Sequence, residues 1–322
     1  MKLLNLLRDL VEINSESGKE DEIVNYVMEF LEDLGYSPKL EERNVKNVIL
    51  KGKGDLWIVT HLDTVKKLEN FRFDGVYCYG TGVCDAKGSV AAILNAIESV
   101  DEFVLNVAFL SDEEEGGRGS EHFARRRVGR AIVMEPTGLK VAKAQYGSAE
   151  LIFRVNGRAS HGAFPDFGVS AIERTFELFE KVKGIWKDFS VQEIRSGDST
   201  YAIPDSCYSR FAFVFPPEVD SESVIRKVLE VSKEYGEVEV VEYWNGFYCD
   251  EISELNMFVK EETVMKSWTD AANLKSEGWK VTVWGPGELE SCHTRMERVK
   301  LREVEEAAKV IKLMNEHVLE SH

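Results

Sequence analysis

Three short apolar runs, residues 56–60, 104–110 and 131–134, each stop abruptly at acids or histidine, and this limits the architectures open to the chain. The first is followed by His61 and Asp63, the second by Asp112-Glu113-Glu114-Glu115 and the third by Glu135. A short run without polar alternation suits a strand covered on both faces, as in a parallel sheet flanked by helices. Helical patterns over residues 21–34 and 88–100 separate the runs. The alternation predicts an α/β layer structure with a mostly parallel central sheet. Ligands bind such sheets in the crevice outside the carboxyl ends of the strands, where these acids and this histidine fall. Asp85, in a turn with Gly80, Gly82 and Gly88, and His293, after Gly285-Pro286-Gly287, are placed to reach the same crevice.

From residue 150 the pattern becomes strand 150–155, helix 169–182, strands 191–196 and 207–215, helix 221–235 and strand 237–244. That βαββαβ order is the ferredoxin-like arrangement. It predicts a compact unit over 146–245 inserted into a discontinuous domain of 1–145 and 246–322. Beyond the insertion the pattern predicts a helix over 252–266, a strand over 280–284 and an amphipathic helix over 303–318.

Bulk properties exclude several classes. A formal net charge of −17 with no long basic run repels phosphate backbones, so nucleic acid is not an expected partner. No stretch approaches the roughly 18 apolar residues needed to cross a bilayer. Residues 1–7 run directly into Arg8, Asp9 and Glu12, which reads as an amphipathic helix and not as a signal peptide. The five cysteines form no C-x-x-C pair, which points away from a disulfide framework or thiolate zinc site and towards a cytoplasmic setting. Arg125, Arg126, Arg127 and Arg130 form a basic group that either docks an acidic partner or marks an exposed helix end.

Carboxylates gathered in one crevice repel each other unless cations neutralise them. Two divalent ions would do so, with one carboxylate bridging them, a water between them made nucleophilic near neutral pH, and a further carboxylate serving as general base. His-Leu-Asp-Thr-Val (61–65), Gly-Thr-Gly-Val-Cys-Asp-Ala-Lys-Gly (80–88), Ser-Asp-Glu-Glu-Glu-Gly-Gly-Arg-Gly-Ser (111–120), Met-Glu-Pro-Thr (134–137), Ala-Ser-His-Gly (159–162) and Cys-His-Thr (292–294), in this order, resemble the M20 metallopeptidases.

The resemblance implies a di-metal amide hydrolase. Asp85 would bridge the ions, His61 and Glu135 would complete one site, and Glu114 and His293 the other. Glu113 would be the general base, and Asp63 would hydrogen-bond the His61 imidazole. The insertion would be a lid and dimerisation domain whose His161 stabilises the oxyanion across a homodimer interface. Zinc is the expected metal, with cobalt or manganese as alternatives. Chain length and the Asp-Ala-Lys-Gly sequence are most like archaeal relatives that free lysine or ornithine from a small acidic amino-group carrier protein. Acetylornithine or acetyl-lysine deacetylase, succinyl-diaminopimelate desuccinylase and small peptidase are the alternatives within the family. A non-catalytic binding protein would have lost a ligand or the base, and none is lost. The chain departs from many relatives at Tyr201, Ala212 and Val214, which stand where those have Asn, Asp and Arg, so the resemblance does not carry the usual carboxylate clamp over to this chain.

Overall fold

The computed structural model describes residues 2–198 and 200–321. The chain forms two compact units. One runs to Lys143 and takes up Cys249–Met265 and the chain from Thr269 onward; the other comprises Ala144–Tyr248 and Lys266–Trp268.

The first unit is built on a six-stranded sheet in the spatial order Lys39–Glu42, Lys46–Leu50, Asn106–Leu110, Leu56–His61, Arg130–Val133, Lys280–Val283. The last four are parallel, and the first two form an antiparallel hairpin along one edge. The sheet is therefore mixed, with a parallel centre. Every residue of Leu56–His61 and Asn106–Leu110 is buried because both faces are covered. Side chains alternate between the faces. Leu56, Ile58, Val107, Phe109 and Ile132 belong to the core shared with helices Lys2–Glu12, Asp21–Asp33, Lys87–Glu98 and Leu301–Glu320. Trp57 points the other way, its ring 5.0 Å from Phe123 and 6.3 Å from Trp279.

The pattern over 252–266 predicted one helix, and the structure corrects this. Only Ser253–Asn256 is helical, and Glu262–Met265 is a strand. Ile252 and Leu255 anchor the helical turn in the core. The β-branched pair Thr263-Val264 then joins a sheet with the Val141–Gln145 strand, at whose start the Val141 N–H donates to the Glu261 carbonyl at 2.8 Å. Three of the four arginines of the basic group are paired locally. Arg125 pairs with Glu121 and Glu277, Arg127 with Glu41, and Arg130 with Asp55 and Glu254.

The second unit is a four-stranded antiparallel sheet in the order Phe189–Ser196, Ser206–Phe215, Gly147–Asn156, Gly236–Trp244. Helices Ala171–Ile185 and Ser221–Ser232 supply the rest of its core. Ser170 caps the first, its hydroxyl accepting from the Glu173 N–H at 3.2 Å, and Asp220 caps the second through the Ser223 N–H at 3.0 Å. Phe211 is fully buried, with its ring 4.7 Å from Phe153 and 5.4 Å from Phe189. Phe211→Ala is expected to cost about 3–5 kcal/mol in denaturant unfolding of this unit. Metal content should stay at the wild-type level, because the clusters described below lie in the other unit; a parallel loss of bound metal would contradict that independence.

Candidate metal centre

The parallel strands carry their polar groups to one end of the sheet. His61 ends its strand, Glu113 and Glu114 follow Asn106–Leu110, Glu135 follows Arg130–Val133, and His293 lies beyond Lys280–Val283. Asp85 precedes the Lys87–Glu98 helix. The turn bearing Glu113 and Glu114 is held on both sides. Asp112 adopts a left-handed conformation, φ 67°, and its carboxylate receives Arg118 Nε and Nη2, each at 2.6 Å. Gly119 permits close approach, since a Cβ there would lie 2.2 Å from the Ser111 carbonyl oxygen. Buried Asn47 bridges the same region, accepting from the Ser111 N–H at 3.2 Å and donating to the Gly119 carbonyl at 3.0 Å.

Asp85 stands at the junction of two clusters. His61 Nε2 is 3.0 Å from its Oδ1 and 3.8 Å from Glu135 Oε1. His293 Nε2 is 3.5 Å from Asp85 Oδ2 and 2.9 Å from Glu114 Oε2. The two groups, His61-Asp85-Glu135 and Asp85-Glu114-His293, each bring their ligand atoms within 4.8 Å of one another. Each Asp85 oxygen thus faces a different group. Imidazole and carboxylate donors suit divalent ions of the zinc type, and three protein ligands per ion leave positions open for water and substrate. Glu135 Oε1 is buried without a hydrogen-bond partner among the described residues, as a ligand atom awaiting a cation would be. These two clusters fit two divalent ions.

Asp63 lies beside the His61 ring and meets it chiefly through its main chain. His61 Nδ1 lies 2.9 Å from the Asp63 main-chain carbonyl and 3.6 Å from its carboxylate. That carboxylate also receives the Glu113 and Glu114 N–H groups, each at 3.0 Å, and the Ser17 hydroxyl at 2.6 Å. Asp270, the acid retained in Ser267-Trp268-Thr269-Asp270 where relatives have a Gly-Thr-Ser-Asp type loop, stands at the start of helix Ala271–Ser276 with no capping bond from its side chain. It is buried with neither carboxylate oxygen hydrogen-bonded to a described residue, and burial pushes it up to about 7.

His161 belongs to the second unit, on the short strand Ser160–His161 paired with Ala202–Ile203. Its Nδ1 accepts the Ala163 N–H at 3.2 Å, so in the neutral ring the proton sits on Nε2.

Burial and mutual repulsion dominate the electrostatics. Burial pushes Glu113 and Glu135 well above the usual carboxylate range, with neighbouring acids, Asp270 among them, adding to the shift against the opposing pull of His61. Glu114 is also raised by burial. Burial would raise Asp85 too, but His293 and His61 outweigh it and hold Asp85 low. Burial opposes charge on His61, yet Glu135 and Glu113 hold its pKa well above the ordinary value. Hydrogen bonds to Asp85 and Glu114 push His293 up to about 10.

The profile of Peptidase family M20/M25/M40 matches residues 57–317. The chain belongs to that family. This M20 protein is a metal-dependent hydrolase with two divalent-metal clusters. A relative from Pyrobaculum aerophilum, named provisionally as a LysW-lysine/LysW-ornithine hydrolase, is 26% identical over 99% of this chain and 98% of its own length. One from Aspergillus niger, named provisionally as a carboxypeptidase, is 25% identical over 97% of this chain and 89% of its own. A tripeptidase structure from Staphylococcus aureus shares the fold, with TM-score 0.80 and 19% identity over 98% of this chain and 97% of that one. Among the described residues no helix is long and apolar enough to cross a membrane.

The pKa directions give a testable sign. Glu113, Glu114 and Glu135 hold protons in the folded chain above their ordinary 4.5, and His61 and His293 above their ordinary 6.5. Their stabilisation is present at low pH and lost as pH rises through the folded values. Asp85 and Asp63, both lowered from 3.8, act in the opposite sense only in more acidic solution. The Tm of chelated M20 protein should therefore fall between about pH 5 and 9. Zinc or cobalt should restore it most at the alkaline end. A flat profile for the chelated protein would contradict this account of the cluster.

Proposed function

We propose that this protein releases lysine or ornithine from an amino-group carrier protein by hydrolysing the amide bond, with zinc the resident metal and cobalt or manganese able to replace it. The observation that carries the chemistry is the place of Glu113. It is electrostatically coupled to His61, Glu135 and Glu114 but belongs to neither cluster, so it is free to handle protons. The choice of substrate is supported by the Pyrobaculum relative, which aligns over nearly the full length of both chains. An acidic protein also suits a substrate with a cationic side chain. A reducing cytoplasm suits the five free cysteines.

His61, Glu135 and Asp85 would hold one ion, and Asp85, Glu114 and His293 the other. When bound, such ions polarise the amide carbonyl and acidify a water. Glu113 takes a proton from the attacking water and delivers it to the departing amine nitrogen. Asp63 keeps Glu113 in place through its backbone N–H. The second unit, whose strand order and connections fit a ferredoxin-like lid over 146–245, serves as the dimerisation element. His161 Nε2–H, its tautomer set by Ala163, donates to the developing oxyanion of the partner's site.

Three outcomes are expected. Carrier-linked lysine or ornithine should be turned over with kcat/KM about 100-fold above acetylornithine, acetyl-lysine, succinyl-diaminopimelate and dipeptides, a margin that a few kcal/mol of differential binding supplies; the reverse preference would move the protein to the deacylase or peptidase group. Glu113→Gln should keep two ions per chain and lose roughly 10²- to 10⁴-fold in rate, whereas near-normal turnover would remove Glu113 from the role of base. Mixed dimers of inactive Glu113→Gln and inactive His161→Ala chains should regain activity, because one site per dimer then has both groups. Verified subunit exchange without recovery would reject donation between subunits.

A further inference from the structure

One buried acid outside both clusters grips the bridging ligand from behind. Glu297 is 2% exposed, and its carboxylate receives three backbone N–H groups of the turn carrying Asp85. Oε2 accepts from Gly82 at 3.0 Å, and Oε1 accepts from Cys84 at 3.0 Å and from Asp85 itself at 3.2 Å. The Glu297 main-chain carbonyl adds the Gly80 N–H at 3.4 Å. The turn is thus pinned along its length by one residue.

Glu297 also ends the turn that begins at His293. Its N–H donates to the Thr294 carbonyl at 3.2 Å, the Met296 N–H donates to Thr294 Oγ1 at 3.1 Å, and Thr294 Oγ1 donates to the Ser291 carbonyl at 2.8 Å. His293 is held at φ 61°. One compact turn therefore meets Asp85 twice, presenting His293 to its side chain and Glu297 to its backbone.

We infer that Glu297 is the positioning residue that sets the spacing between Asp85 and His293, and with it the affinity of the Asp85-Glu114-His293 cluster for its ion. A glutamine would fit the same space but present an NH2 group to one side of a cradle made only of N–H donors. One hydrogen bond then becomes a repulsive donor–donor contact, and the turn must shift. His61 and Glu135 sit on their own strand ends, so the first cluster feels only the displacement of Asp85. This rests on both clusters holding ions, and the wild-type titration tests that premise separately.

The experiment is stepwise Co2+ titration of chelated protein, followed by calorimetry and by the visible cobalt spectrum. Wild type should take up two ions; fewer would overturn the two-ion reading itself. Glu297→Gln should bind one ion much as wild type does and the other roughly 10- to 100-fold more weakly, the usual cost of losing a residue that orients a ligand, with an altered spectrum for that step. A merely structural residue would lower thermal stability and leave both affinities unchanged in the folded fraction. Two wild-type affinities with a wild-type spectrum in folded Glu297→Gln therefore overturn the assignment. If that variant does not fold, Glu297→Asp, which keeps the charge on a shorter arm, is read in the same way: a selectively weakened second ion supports the inference, and unchanged binding of both rejects it.

Discussion

The structure turns on a repulsion. Asp85, Glu113, Glu114 and Glu135 gather at the carboxyl ends of parallel strands, and burial makes their charge costly. Two imidazoles offset part of this, and Asp85 takes the largest share because each of its oxygens faces a different histidine. The remaining acids are held above their ordinary range, Glu113 and Glu135 well above it, which suits a site shaped for cations. The sheet, the turns and the supporting hydrogen bonds all serve to hold this arrangement against its own tendency to spread.

The supporting layer uses one device twice. A buried carboxylate accepts backbone N–H groups from a turn that carries functional acids. Asp63 holds Glu113 and Glu114, and Glu297 holds the Asp85 turn. Such bonds fix the backbone and leave the acidic side chains free to face the clusters.

The crevice that gathers the acids and histidines was legible in the sequence because most of them follow apolar runs, and a strand end is a position as well as a composition. His61, the group Asp112–Glu115 and Glu135 follow from that, and Asp85 and His293 from glycine-containing turns, while the choice of Glu114 over Glu113 within the group came from the M20 resemblance. The layer behind them was not legible. Ser17 meets Asp63, and Glu297 meets Gly82, from far away in the chain, through contacts that leave no local spacing. For Asp63 the sequence neighbour His61 was visible, whereas the Glu113 turn that folding brings to its carboxylate was not. The antiparallel hairpin of Lys39–Glu42 and Lys46–Leu50 escaped because its exposed outer strand has no apolar alternation. The segment 252–266 misled because apolar spacing at Ile252, Leu255 and Val259 imitates a helix that ends after one turn.

The order of the ligands along the chain bears on how the protein is made. His61, Asp85, Glu114 and Glu135 all precede the second unit, while His293 and Glu297 follow it. During synthesis the ribosome delivers four ligands, then an entire separately cored unit, and only near the end the histidine that closes the second cluster and the acid that braces the bridge. The Lys280–Val283 strand, which covers the edge of Arg130–Val133, is equally late. A growing chain must therefore carry an open sheet edge and a crowd of unbalanced acids through the whole time that the second unit is being built.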